Sequence, residues 1–193
     1  MSTELSTYAN QYVAKKAFFS FLGNTFRIFG TDGSLQFYVK QKAFKLREEI
    51  GVFHDEGQTQ KRLAIQARGI GDFSGTYDIS DAETGERLGA AKREGLKSML
   101  VDSWILLDAN DQPMGSVKEI GGFTIVLRKL FKFIPQKYEV RIGEDLEGRI
   151  HQRFSFFQLG YDVDFSPGSG KLDPRMGVGL TVLLLAIEGG KDG

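Results

Sequence analysis

The apolar run of residues 176–187, MGVGLTVLLLAI, constrains the fold more than any other part of this chain. Thr181 is its only polar side chain. Asp173 and Pro174 stand where the N-cap and the first-turn proline of a helix are expected. Glu188 and two glycines follow the run, in the pattern that ends a helix. We therefore predict a helix over about residues 173–188.

This helix is apolar on every face, so it must be enclosed on every face, by protein or by lipid. From residue 174 to residue 187 it spans only about 21 Å, at about 1.5 Å per residue. The hydrocarbon core of a bilayer is about 30 Å thick. The length favours a helix enclosed by the protein itself, and we predict no transmembrane span.

Most of the remaining chain alternates apolar and polar residues, which is typical of strands with one buried face. The clearest examples are residues 35–40, 62–68, 138–142 and 161–165. Short polar turns separate these segments, and several strands end in basic residues. We predict about ten to twelve strands in successive hairpins. The sequence of residues 122–133 is compatible with a strand or with a helical turn, and we leave this assignment open.

A barrel accommodates both patterns. Twelve tilted strands about 4.8 Å apart enclose a backbone radius of roughly 12 Å, too wide for strand side chains to fill. A helix about 10–12 Å across fills that space. The alternative, a sandwich with the helix on one side, predicts a polar stripe on the helix, and none is visible. We therefore predict a mainly β chain: a closed antiparallel barrel around a buried C-terminal helix, with residues 1–10 as a flexible N-terminus and 11–190 as one domain.

Composition narrows the function classes. Lys and Arg together number 25, as do Asp and Glu, so the basic excess of a nucleic-acid-binding protein is missing. Cysteine is absent, which excludes disulfides and thiolate metal sites.

The first ten residues hold no apolar signal core, and we expect a cytoplasmic protein. His54 and His151 are isolated, and no nucleophile elbow is present, so enzyme activity is not indicated.

Two groups of cations are candidate binding residues. One interleaves Arg128, Lys129 and Lys132 with Phe131 and Phe133, which suits the surface of an anionic membrane. The alternative is a loop whose aromatic side chains pack inward while its cations stay hydrated.

The second group lies at predicted strand ends and would bind a polyanion if the hairpins place it on one rim. Its members are Lys40, Lys42, Lys45, Arg47, Lys92 and Arg93. The alternative is a hydrated surface of mixed charge, because Glu48, Glu49 and Glu94 weaken the positive field.

The chain resembles the LURP-one-related proteins, which belong with the tubby C-terminal domain and the phospholipid scramblases. The resemblance covers roughly residues 10–190, and the order of its segments is more specific for fold than for function. It implies a twelve-stranded barrel around a hydrophobic C-terminal helix. It rests on Tyr38-Val39-Lys40-Gln41-Lys42, Lys45-Leu46-Arg47-Glu48-Glu49, Tyr77-Asp78-Ile79-Ser80-Asp81, Ser98-Met99-Leu100-Val101-Asp102-Ser103-Trp104, Gly115-Ser116-Val117-Lys118-Glu119 and Leu172-Asp173-Pro174-Arg175-Met176.

The resemblance implies a partner, an anionic phospholipid, since tubby domains bind phosphoinositides. A protein-interaction scaffold without lipid affinity is the alternative, and a calcium-dependent phospholipid scramblase is a third, less favoured function. Scramblases carry an acidic calcium-binding segment before their last helix, and Asp162, Asp164 and Asp173 lie in a similar place. We expect no cofactor other than calcium. The inserted residues 166–171 depart from the scramblase pattern, and helix capping explains Asp173 without a metal.

Overall fold

The computed structural model describes residues 8–17, 24–41, 49–69, 75–94, 103–121, 134–153 and 158–188. Within them, twelve antiparallel strands form a closed barrel in which each strand pairs with its neighbours in sequence and β12 pairs with β1. The predicted fold is confirmed. The strands are β1 Gln11–Ala17, β2 Asn24–Phe29, β3 Leu35–Gln41, β4 Ile50–Phe53, β5 Lys61–Ala67, β6 Thr76–Asp81, β7 Arg87–Arg93, β8 Ser103–Leu107, β9 Pro113–Glu119, β10 Lys137–Ile142, β11 Asp145–Arg153 and β12 Gln158–Asp164.

The predicted helix lies inside this barrel. Helix α1 spans Pro174–Leu183 and continues as a π-helical turn over Leu184–Glu188. Every residue from 176 to 187 is buried. Asp173 is the N-cap, and its carboxylate accepts a hydrogen bond from the backbone N–H of Arg175 at 2.8 Å. The hydroxyl of Thr181 donates to the carbonyl of Gly177 at 3.0 Å, so the one polar side chain of the run is satisfied within the helix. The π-helical turn was not predicted.

The inward residues of the strands form the core around α1. In β3, Phe37 and Val39 are fully buried, whereas Tyr38 between them is half-buried and Lys40 is exposed. Other strands alternate in the same way, since successive side chains point to opposite faces of a sheet. Trp104 of β8 is only 2% exposed, so it is a core residue.

The backbone of α1 lies closest to β5, β6 and β7. Glycines allow this approach: a Cβ at Gly179 would lie 2.9 Å from Ile79 Cγ2, and Gly89 lies 3.5 Å from Met176 Cε by the same construction. On the opposite side of the barrel the core residues are larger, including Tyr12 of β1 and Phe26 of β2.

The up-and-down topology sends alternate strand connections to opposite ends of the barrel. One end carries the connections that follow the odd-numbered strands β1 to β11. The other end carries the connections that follow the even-numbered strands, including residues 165–173, which lead from β12 into α1. The helix therefore enters at the second end and runs toward the first.

Several predictions fall outside the part of the chain that the structure describes. These include the open assignment of residues 122–133 and all but the last three residues of the predicted flexible N-terminus. Within those three residues, the ring of Tyr8 stacks on Phe37 with centroids 5.2 Å apart. Among the described helices, none is long and apolar enough to span a membrane.

Candidate functional site

Basic residues mark one end of the barrel. Each odd-numbered strand finishes with Lys or Arg among its last three residues, or directly after its last residue. Of the predicted strand-end cations, the structure brings Lys40, Lys92 and Arg93 to this rim. It adds cations that were not singled out from the sequence: Lys15, Lys16, Lys118 and Arg153. Arg68 directly follows β5, but its guanidinium pairs with Asp78 and with Asp111, which lies in a connection after an even-numbered strand. Lys42, Lys45, Arg47, Arg128, Lys129 and Lys132 lie outside the described residues.

The rim cations differ in exposure. Lys40 and Lys92 are exposed to solvent. Arg93 is only 8% exposed, because it shares the inward face of β7 with buried Ala91 while Lys92 between them faces outward. Two carboxylates of this end have partners of their own: Glu49 pairs with Lys61, and Glu94 accepts a hydrogen bond from the hydroxyl of Ser103 at 2.6 Å.

Lys16 is the least expected residue of the rim. Tyr12, Ala14 and Lys16 are the buried residues of β1, so Lys16 faces the interior and is only 6% exposed. Its Nζ lies 5.4 Å from the ring centroid of Phe26 on β2. Burial lowers the pKa of its ammonium group. Its neighbour Lys15 is half-buried and lies over Phe29 instead.

In the sequence, charge and aromatic content differ sharply between the connections that follow odd-numbered strands and those that follow even-numbered strands. The six connections after odd-numbered strands span residues 18–23, 42–49, 68–75, 94–102, 120–136 and 154–157. They contain eight Lys or Arg against five Asp or Glu, and eleven of the 16 phenylalanines. The cations are Lys42, Lys45, Arg47, Arg68, Lys97, Arg128, Lys129 and Lys132, and the acidic residues are Glu48, Glu49, Asp72, Glu94 and Asp102. We call this the basic end.

The connections of the opposite end span residues 30–34, 54–60, 82–86, 108–112, 143–144 and 165–173. They contain nine acidic residues against one basic residue, Lys171. We call this the acidic end. The acidic residues are Asp32, Asp55, Glu56, Glu83, Glu86, Asp108, Asp111, Glu144 and Asp173.

Turn chemistry explains much of this acidity. The carboxylates of Asp32, Asp55 and Asp108 each accept hydrogen bonds from backbone N–H groups two to five residues further on. Such side-chain acceptors stabilise tight turns. The hydrogen bonds from Ser34 and from Thr59 lower the pKa values of Asp32 and Asp55. These turn carboxylates therefore stay ionised at neutral pH. Other carboxylates of this end are paired with arginines: Glu56 with Arg27, Glu83 with Arg62 and Asp111 with Arg87.

The predicted calcium ligands have protein partners. Asp162 pairs with Arg153, Asp164 accepts hydrogen bonds from Gln11 and Ser166, and Asp173 caps α1. Among the described residues, no group of three or more His, Asp and Glu side chains is placed to hold a metal ion. The calcium hypothesis remains a prediction, and the vesicle experiment below includes it.

Arg175 ties the start of α1 to the barrel. Its guanidinium, 17% exposed, lies 3.0 Å from Asp81 Oδ2, 2.9 Å from Glu86 Oε2 and 2.8 Å from Asp173 Oδ2. Burial alone would raise the pKa of Asp81, but hydrogen bonds from the backbone of Thr84 and from Arg175 hold it below its usual value. This cluster fixes the helix to the turn between β6 and β7 and is structural.

Glu147 organises the connection from β12 to α1. Glu147 is only 2% exposed. Oε1 accepts hydrogen bonds from the backbone N–H and hydroxyl of Ser169, and Oε2 accepts them from the N–H groups of Lys171 and Leu172 at 3.2 and 3.3 Å. A cleft of about 150 Å³ lies beside it. Because this carboxylate is already saturated with donors, we assign it to holding the loop.

Replacing Glu147 should make stability less dependent on pH. Burial opposes ionisation of Glu147, but the donors of residues 169–172 lower its pKa below the ordinary 4.5. A lowered pKa contributes stability above about pH 4.5 that is lost as the pH falls further. Glu147→Gln is therefore expected to cost about 1.5–3 kcal/mol at pH 7 and to lose less stability than the native protein between pH 5 and pH 3. Urea unfolding at these pH values measures both effects.

Glu144→Gln on the same hairpin is the matched control, since residue 144 is exposed. It should leave stability within about 0.5 kcal/mol at pH 7. Equal pH profiles for Glu147→Gln and the native protein would contradict the assigned role of Glu147.

The fold defines a class of protein. The chain has a tubby-like fold, a closed twelve-stranded barrel around a buried C-terminal helix. Among solved structures, the chain is similar to a LURP-one-related protein from Arabidopsis thaliana with a TM-score of 0.52 and 15% sequence identity. The match covers 97% of this chain and 98% of that one. No family model and no curated protein matches the chain. At this identity the similarity shows a related fold alone.

Proposed function

We propose that this protein is a non-enzymatic tubby-like barrel domain that binds the head groups of anionic phospholipids through its basic end. The observation that carries the proposal is the difference in charge and phenylalanine content, in the sequence, between the connections that follow odd-numbered strands and those that follow even-numbered strands. The proposed contact residues are Lys40, Lys42, Lys45, Arg47, Lys92, Arg93, Arg128, Lys129 and Lys132.

Elementary electrostatics gives this arrangement a preferred orientation. Each Lys or Arg near an anionic leaflet contributes about 1 kcal/mol, and the effect decays within a Debye length. The turn carboxylates Asp32, Asp55 and Asp108 at the acidic end are repelled by the same surface. The barrel would therefore stand with its basic, phenylalanine-rich end on the membrane, and phenylalanine side chains suit the boundary between head groups and acyl chains. A peripheral position on the anionic cytoplasmic leaflet follows from this proposal.

Vesicle flotation tests the proposal. The protein is mixed with phosphatidylcholine vesicles, with or without phosphatidylserine or phosphoinositides, at low and high salt. We expect flotation only with anionic vesicles, and its loss at high salt. A parallel series with calcium or a chelator tests Asp162, Asp164 and Asp173, since a calcium requirement would support a metal site there. Absence of flotation with every vesicle would overturn the lipid proposal and favour a protein-interaction scaffold.

A charge-matched pair of variants tests the orientation. Lys40→Gln with Lys92→Gln removes two exposed cations from the basic end and should weaken binding roughly tenfold or more, at about 1 kcal/mol per cation. Arg149→Gln with Lys171→Gln removes the same charge elsewhere and should change binding less than about twofold. Equal weakening by both pairs would show that net charge alone governs binding, and would contradict binding through the basic end.

A further inference from the structure

Five outward-facing lysines surround the basic end, and we call them the lysine collar. Four lie within the last three residues of odd-numbered strands, and the fifth begins β10, which starts at this end. Each adjoins a buried residue of its own strand, so its side chain points away from the core. The exposed cation Arg153 is not included, because it pairs with Asp162. The collar consists of Lys15, Lys40, Lys92, Lys118 and Lys137, of which all but the half-buried Lys15 are exposed.

The described part of the chain does not neutralise the collar. Within the described ranges, none of its five ammonium groups forms an ion pair, and that of Lys15 lies over the ring of Phe29, 5.0 Å from the centroid. Glu139 stands opposite Lys118 on the neighbouring strand, but its carboxylate pairs with Arg141 at 3.0 Å. The described residues therefore leave the collar charges to an external anion.

The collar encircles the barrel and does not converge on one point. Strands β3 and β9 are six places apart in the closed order of twelve, so Lys40 and Lys118 lie on opposite walls. Strands β1 and β7, which carry Lys15 and Lys92, are opposite in the same way. With a backbone radius of roughly 12 Å, opposite strands are roughly 24 Å apart, and outward side chains increase that separation. One lipid head group cannot contact both members of either pair.

We infer that the lysine collar binds a surface of many singly charged lipids, with different lysines at different head groups, and not one multiply phosphorylated head group. This inference rests on the proposed function and deepens it, because it names the class of membrane that the basic end recognises. A leaflet rich in phosphatidylserine presents anions on all sides of the barrel at once. A polyphosphorylated head group concentrates its charge at one point, which only one side of the collar reaches. Lysine side chains are long enough to turn toward a membrane that lies across the end of the barrel.

The first test compares two kinds of anionic vesicle at matched zeta potential. Phosphatidylcholine vesicles carry either phosphatidylserine or phosphatidylinositol 4,5-bisphosphate, and binding is measured by flotation at low salt. Because a distributed collar responds to the potential of the whole surface, we expect the native protein to bind the two kinds within about threefold of each other.

Single variants then show where on the rim binding is lost. Lys40→Gln, Lys92→Gln, Lys118→Gln and Lys137→Gln should each weaken binding to phosphatidylserine vesicles roughly fivefold, irrespective of the wall on which the lysine lies. The matched control, Arg149→Gln, removes an exposed cation from the middle of β11 and should change binding less than about twofold. All five side chains are exposed, so every variant should keep the native unfolding temperature.

Two outcomes distinguish failure of this inference from failure of the proposed function. A preference of about tenfold or more for the bisphosphate vesicles, with the losses confined to one wall of the barrel, would indicate a single head-group site. That result would overturn the inference while the lipid proposal stands. If the native protein binds neither kind of vesicle, the lipid proposal fails and this inference fails with it.

Discussion

Val182→Asp is expected to leave no folded protein. Val182 is fully buried in the middle of the central helix, and the barrel encloses that helix on all sides. A carboxylate at this position has no route to water, and burying it unpaired costs several kcal/mol or more. The whole folding free energy of a domain is only about 5–15 kcal/mol. We expect insoluble expression, or a soluble product without cooperative thermal unfolding by circular dichroism.

The adjacent residue provides the control. Thr181 is equally enclosed, and its hydroxyl bonds only to the helix backbone. Thr181→Val keeps the shape of the side chain and removes only the hydrogen bond to Gly177, which should cost about 0.5–1.5 kcal/mol. A folded Val182→Asp protein with native-like stability would show that this face of the helix reaches solvent, and would disprove the enclosed-helix architecture.

Trp104→Ala is expected to destabilise the barrel by about 3–5 kcal/mol. Trp104 is 2% exposed, and its ring lies 5.9 Å from that of Tyr77. Removing the indole leaves a cavity between β8 and the core that the closed sheet cannot collapse to fill. The unfolding temperature should fall by roughly 6–20 °C for a domain of this size, as measured by calorimetry or circular dichroism.

Trp104→Phe separates the contribution of the aromatic ring's volume from the contribution of the indole N–H. The indole N–H of Trp104 is buried and has no acceptor among the residues that the structure describes. Phenylalanine keeps an aromatic ring beside Tyr77 and removes this unpaired donor. We therefore expect Trp104→Phe to cost less than half as much as Trp104→Ala. Similar losses for both variants would mean that the indole N–H, and not the ring volume, stabilises this site.

The architecture was predictable because two strong patterns depend on each other. Alternation along 35–40 and 161–165 shows a sheet with one buried face, and an all-apolar helix needs an enclosure. The common rim of Lys40 and Lys92 also follows from hairpin topology, since every second connection lies at the same end.

The polar interior was not predictable from the sequence. Glu147 acquires its role from N–H groups more than 20 residues away, so no local pattern marks it. Arg93 shares the inward face of β7 with Ala91, but Ala90 is fully buried as well, so burial along β7 does not alternate in the way that marks an inward residue. Lys16 follows the alternation of β1. A lysine at an inward-facing position nevertheless breaks the apolar pattern, so the sequence alone would not place it inside the barrel.

The central helix follows all twelve strands in the chain, and this order has a consequence for biosynthesis. A ribosome that has completed every strand has still not made residues 176–187, which fill the barrel's axis. Strand β1 can pair with β12 only after about 140 more residues have been synthesised. That synthesis takes roughly 7–28 s at typical rates. During that interval the inward faces of the strands have no native partner. The nascent chain therefore presents its future core to chaperones until the last helix is made.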